Sequence, residues 1–277
     1  PLLSLVSRME PAVATTAALC LSAVSGSAAE AGLTDNEAAL LATAMPRASL
    51  SGESIYFVMP DRYANGDTSN DQGGAGLTAG GFDPGNNGFF HGGDLKGLLA
   101  NLGRIKDMGF TAIWITPVIA NRAVQGQSAG YHGYWGLDFT KVDPHFGGAA
   151  DFKALADSIH SSGMKLYLDI VVNHTADVIS YVEGSNYSET PKTPVANESD
   201  QKQPAFLQDV TNYHNRGSIN NWADLQELEL GDFYGLDDIA TDRPMRRLLQ
   251  GDVGSGKTAV AAIALPIIWQ LRKKEDR

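Results

Sequence analysis

From residue 54 onward the chain alternates short apolar runs with longer amphipathic ones. Residues 54–59 are apolar, rich in aromatic and β-branched types, and stop at Pro60-Asp61-Arg62, which predicts a strand. Leu95, Leu98, Leu99, Leu102, Ile105 and Met108 recur at helical spacing over residues 94–108, and Gly109 follows as a stop. Residues 111–116 predict a second strand, closed by Pro117. Residues 149–162 predict a second amphipathic helix, ended by Gly163. Residues 165–172, nearly all apolar apart from Asp169, predict a third strand.

Strand, helix, strand, helix, strand is a parallel βα succession, so the fold class is α/β. Fully apolar strands suit a sheet covered on both faces. The joins at 108–110 and 162–164 are short, whereas segments 60–93 and 117–148 are long and rich in Gly, Asp, Asn, His and aromatics. In a βα barrel such strand-to-helix loops share the face that binds substrate, which puts the functional face there. Residues 175–240 form a long polar excursion. Residues 30–52 read as a polar connector with a short helical stretch around 36–43.

Composition narrows this picture in two places. A net charge of −11 argues against nucleic acid or an anionic membrane as partner, and it suits a neutral polymer. Cys20 is the single cysteine, which excludes a disulfide framework and a Cys-based zinc site. It lies in an uncharged, small-residue run over residues 11–29 that follows Arg8 and ends in Ser27-Ala28-Ala29. This run reads as a secretory signal with its cleavage region, and an Ala-rich buried helix is the alternative. It is too weakly apolar for a transmembrane helix.

Three motifs carry a family resemblance. They are Tyr56-Phe57-Val58-Met59-Pro60-Asp61-Arg62-Tyr63-Ala64-Asn65-Gly66-Asp67 at the first strand, Gly130-Tyr131-His132-Gly133-Tyr134-Trp135 after the second, and Asp169-Ile170-Val171-Val172-Asn173-His174 at the third. In that order, over residues 53–242, they resemble the front part of an α-amylase-type glycoside hydrolase. The resemblance implies an incomplete (β/α)8 TIM-type barrel: its first three βα units over 53–174, then an inserted irregular domain over 175–242. It implies starch or another α-glucan or oligosaccharide as ligand. Tyr134 would stack on the sugar before the cleaved bond, and His174 would hydrogen-bond it. Asp169 would order the strand end, and His132 and Trp135 would shape the loop. Aromatics beside fixed polar groups suit sugar rings, with their apolar faces and hydroxyl rims. For Tyr131, Tyr134 and Trp135, ordinary loop packing is the alternative.

Two oxygen-rich turns suggest calcium. Asn65, Asp67, Asn70 and Asp71 lie close in sequence, and Gly92 and Asp94 belong to a second turn. Calcium takes six to eight oxygen ligands, so two such turns could cage one ion; a hydrophilic turn cluster is the alternative. The grouping resembles a calcium site of cyclodextrin-forming amylases. Asn173 and Asp238 match positions that bind the family's other calcium.

Retaining glycosidases need a carboxylate nucleophile and an acid about 5–5.5 Å apart. In the resembled family these follow later strands, and residues 243–277 have no room for them. Asp138, Asp169, Asp209 and Asp238 are the available substitutes, and nothing in the sequence pairs any two. Hydrolysis is therefore expected to be weak or absent. Residues 243–277 instead carry the phosphate-loop pattern: Gly251, Gly254, Ser255, Gly256, Lys257 and Thr258. A strand before it and a helix after it would complete the motif and hold ATP with magnesium. The segment resembles the nucleotide-binding motif of RecG-type DNA helicases, without the parts hydrolysis needs. Three readings follow: a truncated amylase-type chain fused to a helicase fragment, a glycosidase with non-standard carboxylates, and a nucleotide-binding interaction protein. Three strands leave open parallel edges, so self-association or aggregation is expected.

Overall fold

A computed structural model describes residues 52–240. The readings for residues 1–29, for the connector and for the phosphate loop at 251–258 lie outside the described residues.

The first strand, β1 (Ile55–Val58), leads through a long loop to two short helices, α1 (Leu95–Ala100) and α2 (Leu102–Asp107). Strand β2 (Ala112–Ile115) follows, then four strands within the next loop: β3 (Ile119–Asn121), β4 (Val124–Gln125), β5 (Ser128–Ala129) and β6 (Gly136–Val142). Helix α3 (Ala149–Ser161) leads into β7 (Lys165–Leu168). Residues 175–240, the stretch expected as an insertion, hold β8 (Ile179–Tyr181), β9 (Pro194–Ala196), several 3-10 turns and α4 (Leu225–Leu230).

The parallel succession expected from the pattern is present. Strands β1, β2 and β7 form one parallel sheet in that order, with Ile55 opposite Ala112 and Ala112 opposite Lys165. Ile113, Ile115 and Leu166 on one sheet face are wholly buried, as are Leu98, Ile105, Leu155 and Ile159 of the helices. Each contributes roughly 1.5–3 kcal/mol by leaving water. On the other face Phe57 stays 55% exposed, edge-on to Trp114 with ring centroids 5.5 Å apart.

Three boundaries differ from the sequence expectation. The helix over 94–108 is broken at Asn101, whose φ of −106° and ψ of 8° leave the helical region, and whose Nδ2 donates to the Gly97 carbonyl at 2.8 Å. The third strand ends at Leu168, not at residue 172. Its last ladder bond runs from Asp169 N to Ile115 O at 3.0 Å, after which β2 turns away into Pro117, which has no N–H to offer. Segment 117–148, expected as a loop, contains four strands: β3 pairs antiparallel with β6, and β4 with β5.

The insertion is pinned by a buried ion pair. Lys202 Nζ lies 2.7 Å from Asp237 Oδ2, both side chains are wholly buried, and the ammonium sits 4.0 Å over the Tyr213 ring. Asp237 also accepts from Val178 N (3.1 Å) and Ile179 N (3.3 Å). Removing one partner of such a pair costs about 3–5 kcal/mol, because the other charge is left buried alone. The chain then returns to the segment that follows β7: Thr175 N donates to Asp237 O (3.0 Å) and Ile239 N to Asn173 O (2.9 Å). Among the described residues no helix is long and apolar enough to cross a membrane.

Candidate functional site

The loop 130–135 lies against the end of β2, and Gly133 makes that approach possible. Its φ is +87°, and a Cβ there would sit 2.0 Å from the Pro117 carbonyl oxygen. No L-residue fits both constraints. The close approach brings Tyr134 over the end of β7, where its hydroxyl donates to Asp169 Oδ2 at 2.6 Å. Burial and the Asp169 carboxylate raise the Tyr134 phenol well above its ordinary value.

Two histidines frame Tyr134. His132 Nδ1 accepts the Tyr134 backbone N–H at 3.0 Å, which makes Nε2 the protonated nitrogen of the neutral ring. Burial, then Arg62 and His174, push His132 down to about 4, so the neutral form is the one present near pH 7. His174 Nε2 lies 3.1 Å from the Tyr134 carbonyl oxygen, and since a carbonyl only accepts, Nε2–H is the donor. Burial lowers His174 as well. The Nε2–H of His174 is thus turned onto the loop itself, which makes Nδ1 the acceptor nitrogen of the neutral ring. Tyr131, His132 and Trp135 pack edge-on, with His132 5.1 Å from each of the other two rings.

The structure therefore brings Tyr131, His132, Tyr134, Trp135, Asp169 and His174 together. It also gathers the oxygen-rich turns. Asp94 is wholly buried and caps α1, accepting from Gly97 N at 2.7 Å, Gly66 N at 3.1 Å and Asn70 Nδ2 at 3.1 Å. Asn65 donates to Asp71 at 2.7 Å, and Gly92 abuts both residues so closely that a Cβ would lie 2.5 and 2.7 Å from them. Asn70 Oδ1 is buried with no partner. Asp67 is taken by Lys96 at 2.5 Å. Among the described residues no three His, Cys, Asp or Glu side chains converge as a metal cluster, so a cation here would depend on amide and backbone oxygens. Asn173 and Asp238 meet in a 2.8 Å hydrogen bond, and His214 Nδ1 lies 2.5 Å from the other Asp238 oxygen.

The sequence pattern missed several residues. Arg62 lies 3.8 Å from the centroid of the Tyr131 ring, and Asn121 Oδ1 accepts the Trp135 N–H at 2.5 Å. His214 carried no motif. On the insertion, Trp222, Phe233 and Tyr234 form an exposed aromatic group with centroids 5.0–5.6 Å apart. Tyr234 takes a positive φ of 53°, and no local pattern around a lone Tyr announces that.

The family model for the alpha amylase catalytic domain matches residues 57–227, more than half of the chain. An alpha-amylase of Streptomyces lividans is 40% identical over 205 residues, 59% of this chain and 22% of that protein. A cyclomaltodextrin glucanotransferase of Klebsiella oxytoca is 36% identical over 197 residues, 68% of this chain and 28% of that protein. A solved cyclomaltodextrin glucanotransferase with a three-domain ABC distribution superposes with a TM-score of 0.56 at 36% identity, covering 77% of this chain and 42% of that one. The chain thus spans about a quarter of the length of these two relatives.

Proposed function

The chain belongs to the alpha-amylase family, and from that membership we propose that residues 53–242 bind α-glucan as the front part of an amylase-type glycoside hydrolase site. The observation that carries this reading is the arrangement around Tyr134: a ring fixed by Asp169, flanked by a neutral His132, and seated where β2 and β7 end. A sugar laid on the Tyr131 and Tyr134 rings would meet an imidazole donor at His132 Nε2 and an acceptor at His174 Nδ1. The exposed rings of Trp222, Phe233 and Tyr234 offer a second stacking surface on the insertion. On the signal reading of residues 1–29, this binding takes place outside the cytoplasm.

The four carboxylates that the sequence offers as substitutes each have hydrogen-bond or ion-pair partners. Asp169 holds Tyr134, and Asp238 holds Asn173 and His214. Asp138 accepts from Thr140 at 2.5 Å and pairs with Lys141 at 3.1 Å, and Asp209 accepts from Thr211 N at 2.9 Å. We assign no nucleophile or acid to them. A calcium ion is proposed at Asn65, Asn70, Asp71, Gly92 and Asp94, with Asn70 Oδ1 as the buried oxygen it would satisfy. It would supply a fixed charge holding the two turns together. Asn173 and Asp238 act as a hydrogen-bonded tie, and no cation is assigned there.

The test is maltoheptaose titration followed by tryptophan fluorescence, together with a reducing-end assay on starch. Wild type binds, Tyr134→Ala binds about tenfold or more weakly, and neither releases reducing ends above background. Release that disappears on His174→Ala would overturn the assignment in favour of a working glycosidase. ATP bound by the full chain and lost on Lys257→Ala would instead assign nucleotide binding to residues 243–277.

A further inference from the structure

Each end of the loop 131–135 is held by a side chain of a residue that a buried carboxylate also holds, through the guanidinium of Arg62 at one end and through the backbone N–H of Asn121 at the other. At one end the Arg62 guanidinium covers the Tyr131 ring at 3.8 Å, ion-pairs with Asp61, and donates through Nη2 to the Asn87 carbonyl at 2.8 Å. Asp61 is 2% exposed, and its oxygens also take the backbone N–H groups of His91 (2.9 Å) and Gly92 (3.2 Å). At the other end Asn121 Oδ1 takes the Trp135 N–H at 2.5 Å, and the Asn121 backbone N–H goes to Asp143 Oδ2 at 2.7 Å. Asp143 is wholly buried, and its second oxygen takes the His145 N–H at 2.9 Å.

We propose that Arg62 and Asn121 are positioning residues that hold the loop in its sugar-binding shape before a ligand arrives, with Asp61 and Asp143 as their anchors. The inference rests on the reading of this loop as the glucan site. Its physical basis is ordering entropy. The loop follows Gly130, contains Gly133 and has no regular backbone structure of its own. Ordering such a backbone costs about 1–2 kcal/mol per residue. A loop fixed at both ends meets that cost during folding, so it is not subtracted from affinity on binding. Buried carboxylates make firm anchors because leaving either one unpaired is costly. Arg62 also adds positive charge beside His132, which favours the neutral ring that the loop geometry uses.

The experiment measures backbone hydrogen exchange and maltoheptaose affinity on the full chain for wild type, Arg62→Ala, Arg62→Lys and Asn121→Ala. In the two alanine variants exchange at amides 131–135 speeds up, the sheet amides of Ile113, Ile115 and Leu166 keep wild-type protection, and affinity falls about tenfold. Arg62→Lys, which keeps a cation beside Asp61, recovers part of both. Unchanged loop exchange in both alanine variants overturns the proposal, as does faster loop exchange with unchanged affinity. Equal loss of protection in loop and sheet makes these residues merely structural and also overturns it. Failure of wild type to bind maltoheptaose sinks the glucan reading, while the exchange comparison still decides whether the clamp exists.

Discussion

His132 is neutral for a reason that can be measured. Burial first, then the positive charge of Arg62 and the nearness of His174, bring it from its ordinary 6.5 to about 4. The unfolded chain therefore takes up this proton before the folded one does as pH falls. The residue's contribution to stability is complete above pH 6.5 and is lost between 6.5 and about 4. The unfolding free energy of wild type minus that of His132→Gln accordingly grows with pH across that window, by on the order of 3 kcal/mol, and is flat above it. Denaturant titrations at several pH values check this, and a pH-independent difference would show that folding leaves the ring's affinity for its proton unchanged. At this scale the motifs named His132, Tyr134, Asp169 and His174, because short strings around strand ends carry them. They did not tell which way the histidines face. His174 turns its donor onto Tyr134, and that follows from loop geometry set by Gly133. Arg62 stood in view inside a motif, but its partner Tyr131 lies far along the chain, so its role needed the fold.

Elements were legible where period and punctuation agreed. The first two strands fall within a residue or two of their expected limits, bounded by Pro60 and Pro117, and α3 ends just before Gly163. The α1–α2 break was hidden because leucine spacing runs straight through Asn101. Strand β6 was hidden for another reason: Gly136 to Phe139 are all buried, so the run shows neither alternation nor helical period, and its pairing with β3 shifts register twice. The calcium reading belongs to this scale, since it concerns two turns between β1 and α1. If Asn70 Oδ1 awaits a cation, calcium in excess raises the melting temperature over chelator-treated protein. A hundredfold excess over Kd gives about 2.7 kcal/mol of stabilisation. Asp71→Ala removes most of that increment. A melting temperature indifferent to calcium would reduce the turns to a hydrogen-bonded cluster around Asp94.

For the whole chain, the parallel order was readable because only one arrangement buries three apolar strands and two amphipathic helices in that sequence. The stretch 175–240 was not, since its buried ion pair joins Lys202 and Asp237, residues far apart in sequence that meet only on folding. Strand β1 lies at an edge of the sheet, with one side unpaired among the described residues. Such edges template pairing with another chain, so size-exclusion chromatography of the 277-residue chain shows oligomers or aggregates rather than a single monomer peak. A sharp monomer peak with a cooperative melt would contradict this. The return of the chain at Asn173 and Ile239 has a consequence of another kind. Because one hydrogen bond joins Asn173 and Ile239, the ends of the excursion between them span almost no distance. Closure entropy grows only slowly with loop length. The insertion is thus an exchangeable cassette: it can be lengthened, shortened or replaced in evolution or by grafting, while the strand beneath it keeps its register.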